Sequence, residues 1–183
     1  MNRSFEFSAG SLALNFADTI ALRDDDPTEL LASPEDLRRW FAGANLGDPG
    51  NLTAEQLDAA CSLRDSIYTA LSLAAENREI PKTVAAKLNT AAIQQDLRPQ
   101  IVNGAKQLRA RDFVEAALST IAADAIEIVA TDARLRLRRC PECRMLFRDN
   151  SRPGNRIWCS SASGCGNRAK VRRHRAKQKK MGS

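Results

Sequence analysis

The sequence predicts a mainly α protein: a helical amino-terminal domain with one small β-hairpin, followed by a small cysteine module and a basic carboxyl-terminal helix. Three observations predict it. Apolar residues recur at helical spacing through most of the chain before Thr131. Four of the five cysteines fall between Cys140 and Cys165. The net charge of +6 is split: 16 Lys and Arg against three acids from Thr131 onward give +13, and 12 cations against 19 acids before it give −7. This asymmetry describes an acidic globular part with a basic, polyanion-seeking end. The two domains are expected to span residues 1–133 and 134–183.

In chain order, Phe5-Glu6-Phe7 alternates like a short strand, and Leu12, Ala13, Phe16, Ala17 and Ile20 recur at helical spacing. Arg23 to Thr28 reads as a charged loop. Ser33 can cap a helix whose first turn accepts Pro34, turning Leu37, Trp40 and Phe41 inward. Thr53 with Gln56 forms a capping box for a longer helix, with Leu57, Ala60, Cys61, Arg64, Ile67, Tyr68 and Leu71 on one face. Cys61 on that face reads as a small buried hydrophobe. A further helix starts at Pro81. Asn103-Gly104 between Leu97–Val102 and Ala105–Leu108 signals a type I′ hairpin. Asp112 caps the last large helix, Phe113 to Ala130, which is apolar on nearly every side and so predicted to be central. Leu135 and Leu137 alternate with arginines as a short strand or extended linker.

The cysteine module reads as a metal clamp. Two residues separate Cys140 from Cys143, fifteen separate Cys143 from Cys159, and five separate Cys159 from Cys165. Zinc favours four tetrahedral thiolate or imidazole ligands, and a closed four-cysteine set is structural. One structural Zn²⁺ held by Cys140, Cys143, Cys159 and Cys165 is expected, the alternative being a set in which His174, the only histidine, replaces one cysteine. Met145-Leu146-Phe147 and Arg156-Ile157-Trp158 read as two short strands around a polar loop, with a helix opening near Cys165. Knuckle, hairpin and helix in that order resemble a treble-clef zinc finger. Binding to such peptides is worth roughly 10–16 kcal/mol, so chelation is expected to melt residues 140–165 and spare the acidic domain.

A cationic run follows. At helical spacing Arg168, Arg172, Arg175 and Lys179 share one face, and Arg173 and Lys180 an adjacent one. Like charges at i, i+4 are unfavourable in an isolated helix, so an anionic partner is the natural compensation. The candidate nucleic-acid contacts are Asn167, Arg168, Lys170, Arg172, Arg173, Arg175, Lys177 and Lys179. Arg168 has the chemistry to read guanine and Asn167 adenine. Arg144, Arg148, Arg152 and Arg156 are secondary candidates.

No apolar run approaches the roughly 20 residues of a membrane span, and the start lacks a signal-peptide pattern. A cytoplasmic protein is expected, and clustered cysteines in that reducing compartment favour metal over disulfides. The sequence offers no Gly-rich phosphate loop, no nucleophile elbow and no Glu beside a histidine pair. A fully thiolate-ligated zinc leaves no open position for water. The expectation is therefore a non-enzymatic, zinc-dependent nucleic-acid-binding protein, with DNA favoured over RNA. An RNA-binding protein and a zinc-scaffolded interaction adaptor are the alternatives. Ligand sensing, homodimerisation or both are the roles open to the acidic domain.

Cys165-Gly166-Asn167-Arg168, with Leu146-Phe147, Asp149, Ser151-Arg152 and Trp158-Cys159-Ser160 before it and Ala169-Lys170 after it, resembles the CGNR zinc-finger family. Upstream, Leu12-Ala13-Leu14-Asn15-Phe16, Glu29-Leu30-Leu31, the Leu57-to-Arg64 helix and Leu97-Arg98-Pro99 are similar to the ABATE domain that precedes this finger. The resemblance implies a stress-linked bacterial transcription regulator. Two features depart from the family's pattern. Its first cysteine pair is often spaced more widely and its last pair more tightly. Its Leu-Asp-Phe-Val-Asn-Thr motif stands here as Leu14-Asn15-Phe16-Ala17-Asp18-Thr19, with Asp and Asn exchanged.

Overall fold

The computed structural model describes residues 4–23, 26–160 and 164–181, the side chains of 179–181 excepted. The acids Asp24 and Asp25 of the predicted charged loop and the side chains of Lys179 and Lys180 thus lie outside the described residues.

The fold is mainly α. Helices α1 (Leu12–Ala17), α2 (Pro34–Gly43), α3 (Ala54–Ala75), α4 (Lys82–Ala92) and α5 (Phe113–Ala130) form the amino-terminal part. Their starts follow from local chemistry. The Ser33 hydroxyl accepts from the Asp36 amide, with Pro34 at the first helical position. Thr53 and Gln56 make both bonds of a capping box, and the Asp112 carboxylate accepts from the Glu115 amide. Each cap satisfies an amide that the helix itself cannot.

Helix α5 is central and packs against α1, α3 and α4. Its Val114, Ala117, Ile121, Ala125 and Ile128 are buried. The Ser119 hydroxyl lies 3.2 Å from the carbonyls of Ala92 and Gln94, closing the end of α4. Asp124 of α5 accepts from the Ala13 amide at 2.7 Å, fixing the start of α1. Trp40, Phe41 and Phe16 are fully buried, and the Trp40 ring lies 4.8 Å from that of Phe16.

Two strand pairs decorate this bundle. In the antiparallel hairpin β3 (Arg98–Val102) and β4 (Ala105–Arg109), Asn103 and Gly104 both adopt positive φ, +50° and +76°, as a type I′ turn requires. The second pair is β1 (Ile20–Ala21) with β2 (Thr28–Glu29). It replaces the last turn that the apolar spacing through Ile20 predicts for the first helix. Phe5–Phe7 is not a strand: among the described residues it has no ladder partner, and Phe7 instead stacks 6.0 Å from Trp40 and lies over Gly43.

After α5 a short 3₁₀ turn, Asp132–Arg136, leads into β5 (Leu137–Arg139), which pairs antiparallel with β6 (Leu146–Arg148). The last helix, α6, spans Cys165–Met181. The partner of Leu146 and Phe147 is therefore Arg138 and Arg139, not Ile157 and Trp158. The cause is Asp149. Its carboxylate accepts from the amides of Ser151 (2.9 Å) and Arg156 (2.8 Å), rounding the chain into a closed loop where a second hairpin strand would otherwise run. The Ser151 side chain beside it, then those amide bonds, hold its carboxyl down at about 2.

The finger rests on the helices. The Arg148 amide donates to Ala9 O at 2.7 Å, Asn150 Nδ2 to Gly10 O at 3.3 Å, and Arg139 Nη1 to Tyr68 Oη at 3.1 Å. Leu137, Leu146 and Phe147 join the same buried cluster as α1 and α3.

Candidate metal centre and its basic helix

Cys140 and Cys143 sit in the turn between β5 and β6. The Cys140 amide donates to Met145 O and the Arg144 amide to Cys140 O, both at 2.9 Å. Arg144 takes a left-handed conformation (φ +65°) to complete this knuckle. Cys165 opens α6, and Cys159 lies just before it in sequence. The four Sγ atoms all fall within 4.8 Å of one another. Cys143 Sγ is 3.5 Å from Cys159 Sγ, which is 3.7 Å from Cys165 Sγ.

These distances test the choice of metal. A tetrahedral site with Zn–S of about 2.3 Å has sulfur–sulfur edges of about 3.8 Å, whereas a disulfide needs about 2.05 Å. The separations match the former, and among the described residues none of the four is joined in a disulfide. Cys140, Cys159 and Cys165 are buried and Cys143 half-buried. The sulfur contact to Cys159 and burial push the Cys143 thiol far up. Four thiolates here therefore require a cation among them. The ligands form one structural zinc site, closed by sulfur on all sides. His174 is not among them: it lies on the exposed stretch of α6, nine residues beyond Cys165.

The first turn of α6 is built around this centre. A Cβ on Gly166 would meet Trp158 Cδ1 at 3.0 Å, so only glycine lets the indole lie this close to the helix. Arg168 Nη2 donates to Cys165 Sγ at 3.0 Å. Glu142, inside the knuckle, pairs with Arg168 at 3.5 Å and takes both terminal nitrogens of Arg172. The Arg172 hydrogen bond holds the Glu142 carboxyl low. Of the eight residues expected to meet nucleic acid, Arg168 and Arg172 are thus engaged within the finger. Asn167, Lys170, Arg173, Arg175 and Lys177 are exposed, and the backbone of Lys179 continues the helix. Among the described residues the cations Lys170, Arg173, Arg175 and Lys177 face no carboxylate. Of the secondary arginines, Arg156 donates to Trp158 O at 2.7 Å and lies 4.9 Å over the Phe147 ring, Arg148 donates to Asn150 Oδ1, and Arg152 is exposed.

The exchanged pair behaves asymmetrically. Asn15 Oδ1 accepts from the Ala9 amide at 3.0 Å, a local cap. Asp18 instead lines a small cleft with Arg23, Tyr68, Cys143 and Met145, between α1 and the finger. Burial, then the charge of Glu6, push its carboxyl up to about 8 from a usual 3.8. A carboxyl raised on folding is protonated more readily in the native state, so it costs stability as pH climbs from about 4 to about 8. Asp18→Asn is expected to raise the melting temperature of the zinc-loaded protein at pH 8, with a gain that shrinks steadily toward pH 5. A gain independent of pH would show that ionisation of Asp18 is not the source.

Among the described residues no helix is long and apolar enough to cross a membrane. Two family models match the chain: ABATE, described as "Putative stress-induced transcription regulator", over residues 10–132, and the CGNR zinc finger over residues 136–178. No curated protein matches it.

Proposed function

The chain belongs to the ABATE family and ends in a CGNR zinc finger, and on that premise we propose that it is a cytoplasmic, non-enzymatic, DNA-binding transcription regulator. The zinc fixes the first turn of α6, and the rest of that helix lies along a phosphate backbone. Residues 134–183 form the nucleic-acid-binding part, and residues 1–133 the part that senses a ligand, dimerises or does both.

The observation that carries this reading is Lys170, Arg173 and Lys177 along one face, with Arg175 on the other side, of a helix whose base is anchored by Cys165 and by the Glu142 pair. A solvated tail needs no such anchoring. Glu142 occupies the first two arginines of α6, which leaves the more distal cations of that helix to meet an anion.

Each phosphate neutralised on a duplex contributes about 0.9 to the slope of log affinity against log salt. Four contacts from α6 therefore give a slope of about −3.6. Lys170→Gln/Arg173→Gln/Lys177→Gln should flatten the slope by about 2.7 and leave zinc content unchanged. Fluorescence anisotropy on random duplex DNA, duplex RNA and single strands at fixed salt separates DNA from RNA readings. Binding insensitive to both salt and these substitutions would favour a protein-interaction adaptor.

A further inference from the structure

The amino-terminal domain is acidic as a whole, yet Leu97 to Arg111 contains Arg98, Lys106, Arg109 and Arg111 and no acid. A third of that domain's cations thus sit on one hairpin and its exit. The register makes this sharper. Arg98 is paired directly with Arg109, and Gln100 with Gln107. Side chains alternate across a strand, so one face of the ribbon carries only Arg98, Gln100, Gln107 and Arg109 before Val102 and Ala105 at the turn. The opposite face presents Leu108, which packs against the core.

Like charges directly opposite one another destabilise a strand pair. Arg98 and Arg109 are both exposed, and among the described residues neither forms an ion pair. Arg109 Nη2 donates to Gln107 Oε1 at 2.6 Å, a neutral partner. Arg111 is exposed beside them, its amide held by Gln95 Oε1 at 3.2 Å. Arg98, Gln100, Arg109 and Arg111, together with Gln95 and Asp96, line an open groove of about 580 Å³. An enclosed pocket would cover most of a small ligand; this surface is open and strung along a ribbon.

We propose that the β3–β4 ribbon is a second nucleic-acid contact, which enters a duplex groove with its Arg–Gln face. A two-stranded ribbon fits the major groove, and arginine and glutamine are the side chains that pair with guanine and adenine edges there. The arginines also meet the flanking phosphates, which removes the repulsion between Arg98 and Arg109. The proposal rests on the nucleic-acid reading above and adds a site to it that is separate from the zinc finger.

The test uses the full zinc-loaded chain and a random 30-base-pair duplex. With α6 and the ribbon both engaged, six contacts give a salt slope of about −5.4. Arg98→Gln/Arg109→Gln should bring it to about −3.6, weaken binding at least tenfold at 0.1 M salt, and leave the melting temperature unchanged or raised. Added duplex should also slow hydrogen exchange at the exposed amides of residues 98–109. If the ribbon variant binds with the wild-type affinity and slope while the α6 triple variant loses binding, the ribbon proposal is overturned and the nucleic-acid reading stands. If the wild-type chain binds neither duplex DNA nor duplex RNA at 50 mM salt, both fall together.

Discussion

Cys159→Ser, or removal of the ion by a strong chelator, should take bound zinc from one per chain to none and release the finger from its fold. Cys159 is the sulfur whose neighbours at 3.5 and 3.7 Å define two edges of the tetrahedron. Without the cation, four clustered sulfurs offer only thiol contacts in place of a binding free energy of roughly 10–16 kcal/mol. The knuckle from Cys140 to Arg144 includes a non-glycine residue at positive φ, a conformation that persists only when its surroundings enforce it. The turn and the start of α6 are therefore expected to disorder together.

The loss does not stop at the finger. Leu146 and Phe147 are buried in the same cluster as Leu14 and Phe16, and the Arg148 amide donates to Ala9 O. When the finger opens, α1 loses that cover. Helices α3 and α5, whose contacts lie mostly with one another and with α4, should persist. Far-UV circular dichroism should thus keep most of its helical signal, and the melting temperature of what remains should fall by several degrees. Zinc by mass spectrometry and thermal melts with and without chelator read both effects. Identical melts in the two conditions would sink the claim that the ion holds the finger against α1.

What the sequence makes legible here depends on how local the cause is. Ser33, Thr53 with Gln56, and Asp112 announce helix starts because each cap acts within three residues. Asn103-Gly104 announces its turn because the positive φ values belong to those two residues. The cysteine cluster is legible because zinc restricts both ligand type and number. Long-range choices are hidden. Ile157 and Trp158 have the same strand-like composition as Leu146 and Phe147, and only the closed loop around Asp149 decides which of them pairs. That Arg168 and Arg172 are committed to Glu142 is equally invisible, since the pairing with Arg172 spans thirty positions. The β1–β2 pair is two residues long on each side, too short to leave an alternating pattern.

Glu29→Gln should destabilise the protein more than Arg64→Met, although the second removes the larger and more buried group. The Arg64 side chain is 3% exposed on α3. Its Nη1 donates to Glu29 Oε1 at 2.6 Å and to Thr19 Oγ1 at 3.4 Å, and its Nε to Asp65 at 3.3 Å. Burial alone would make this guanidinium easier to deprotonate, and Glu29, with Cys61 and Asp65, more than offsets that. Removing the carboxylate leaves a buried cation with the weaker support of Asp65, which is 56% exposed. Breaking a buried pair in this way costs about 3–5 kcal/mol when nothing compensates; with Asp65 and solvent beside Glu29, about 2–3 kcal/mol is expected. Methionine at position 64 removes the charge itself, fills similar space beside Thr19, and lets Glu29 return to water, where it keeps its bond to the Leu31 amide. That change should cost about 1 kcal/mol or less. The double variant should then be no worse than Arg64→Met, because Glu29 has no buried partner left to satisfy. Urea midpoints of the four proteins close the cycle. If Glu29→Gln and Arg64→Met prove equal and additive, the ion pair is not what joins α3 to β2 and the end of α1.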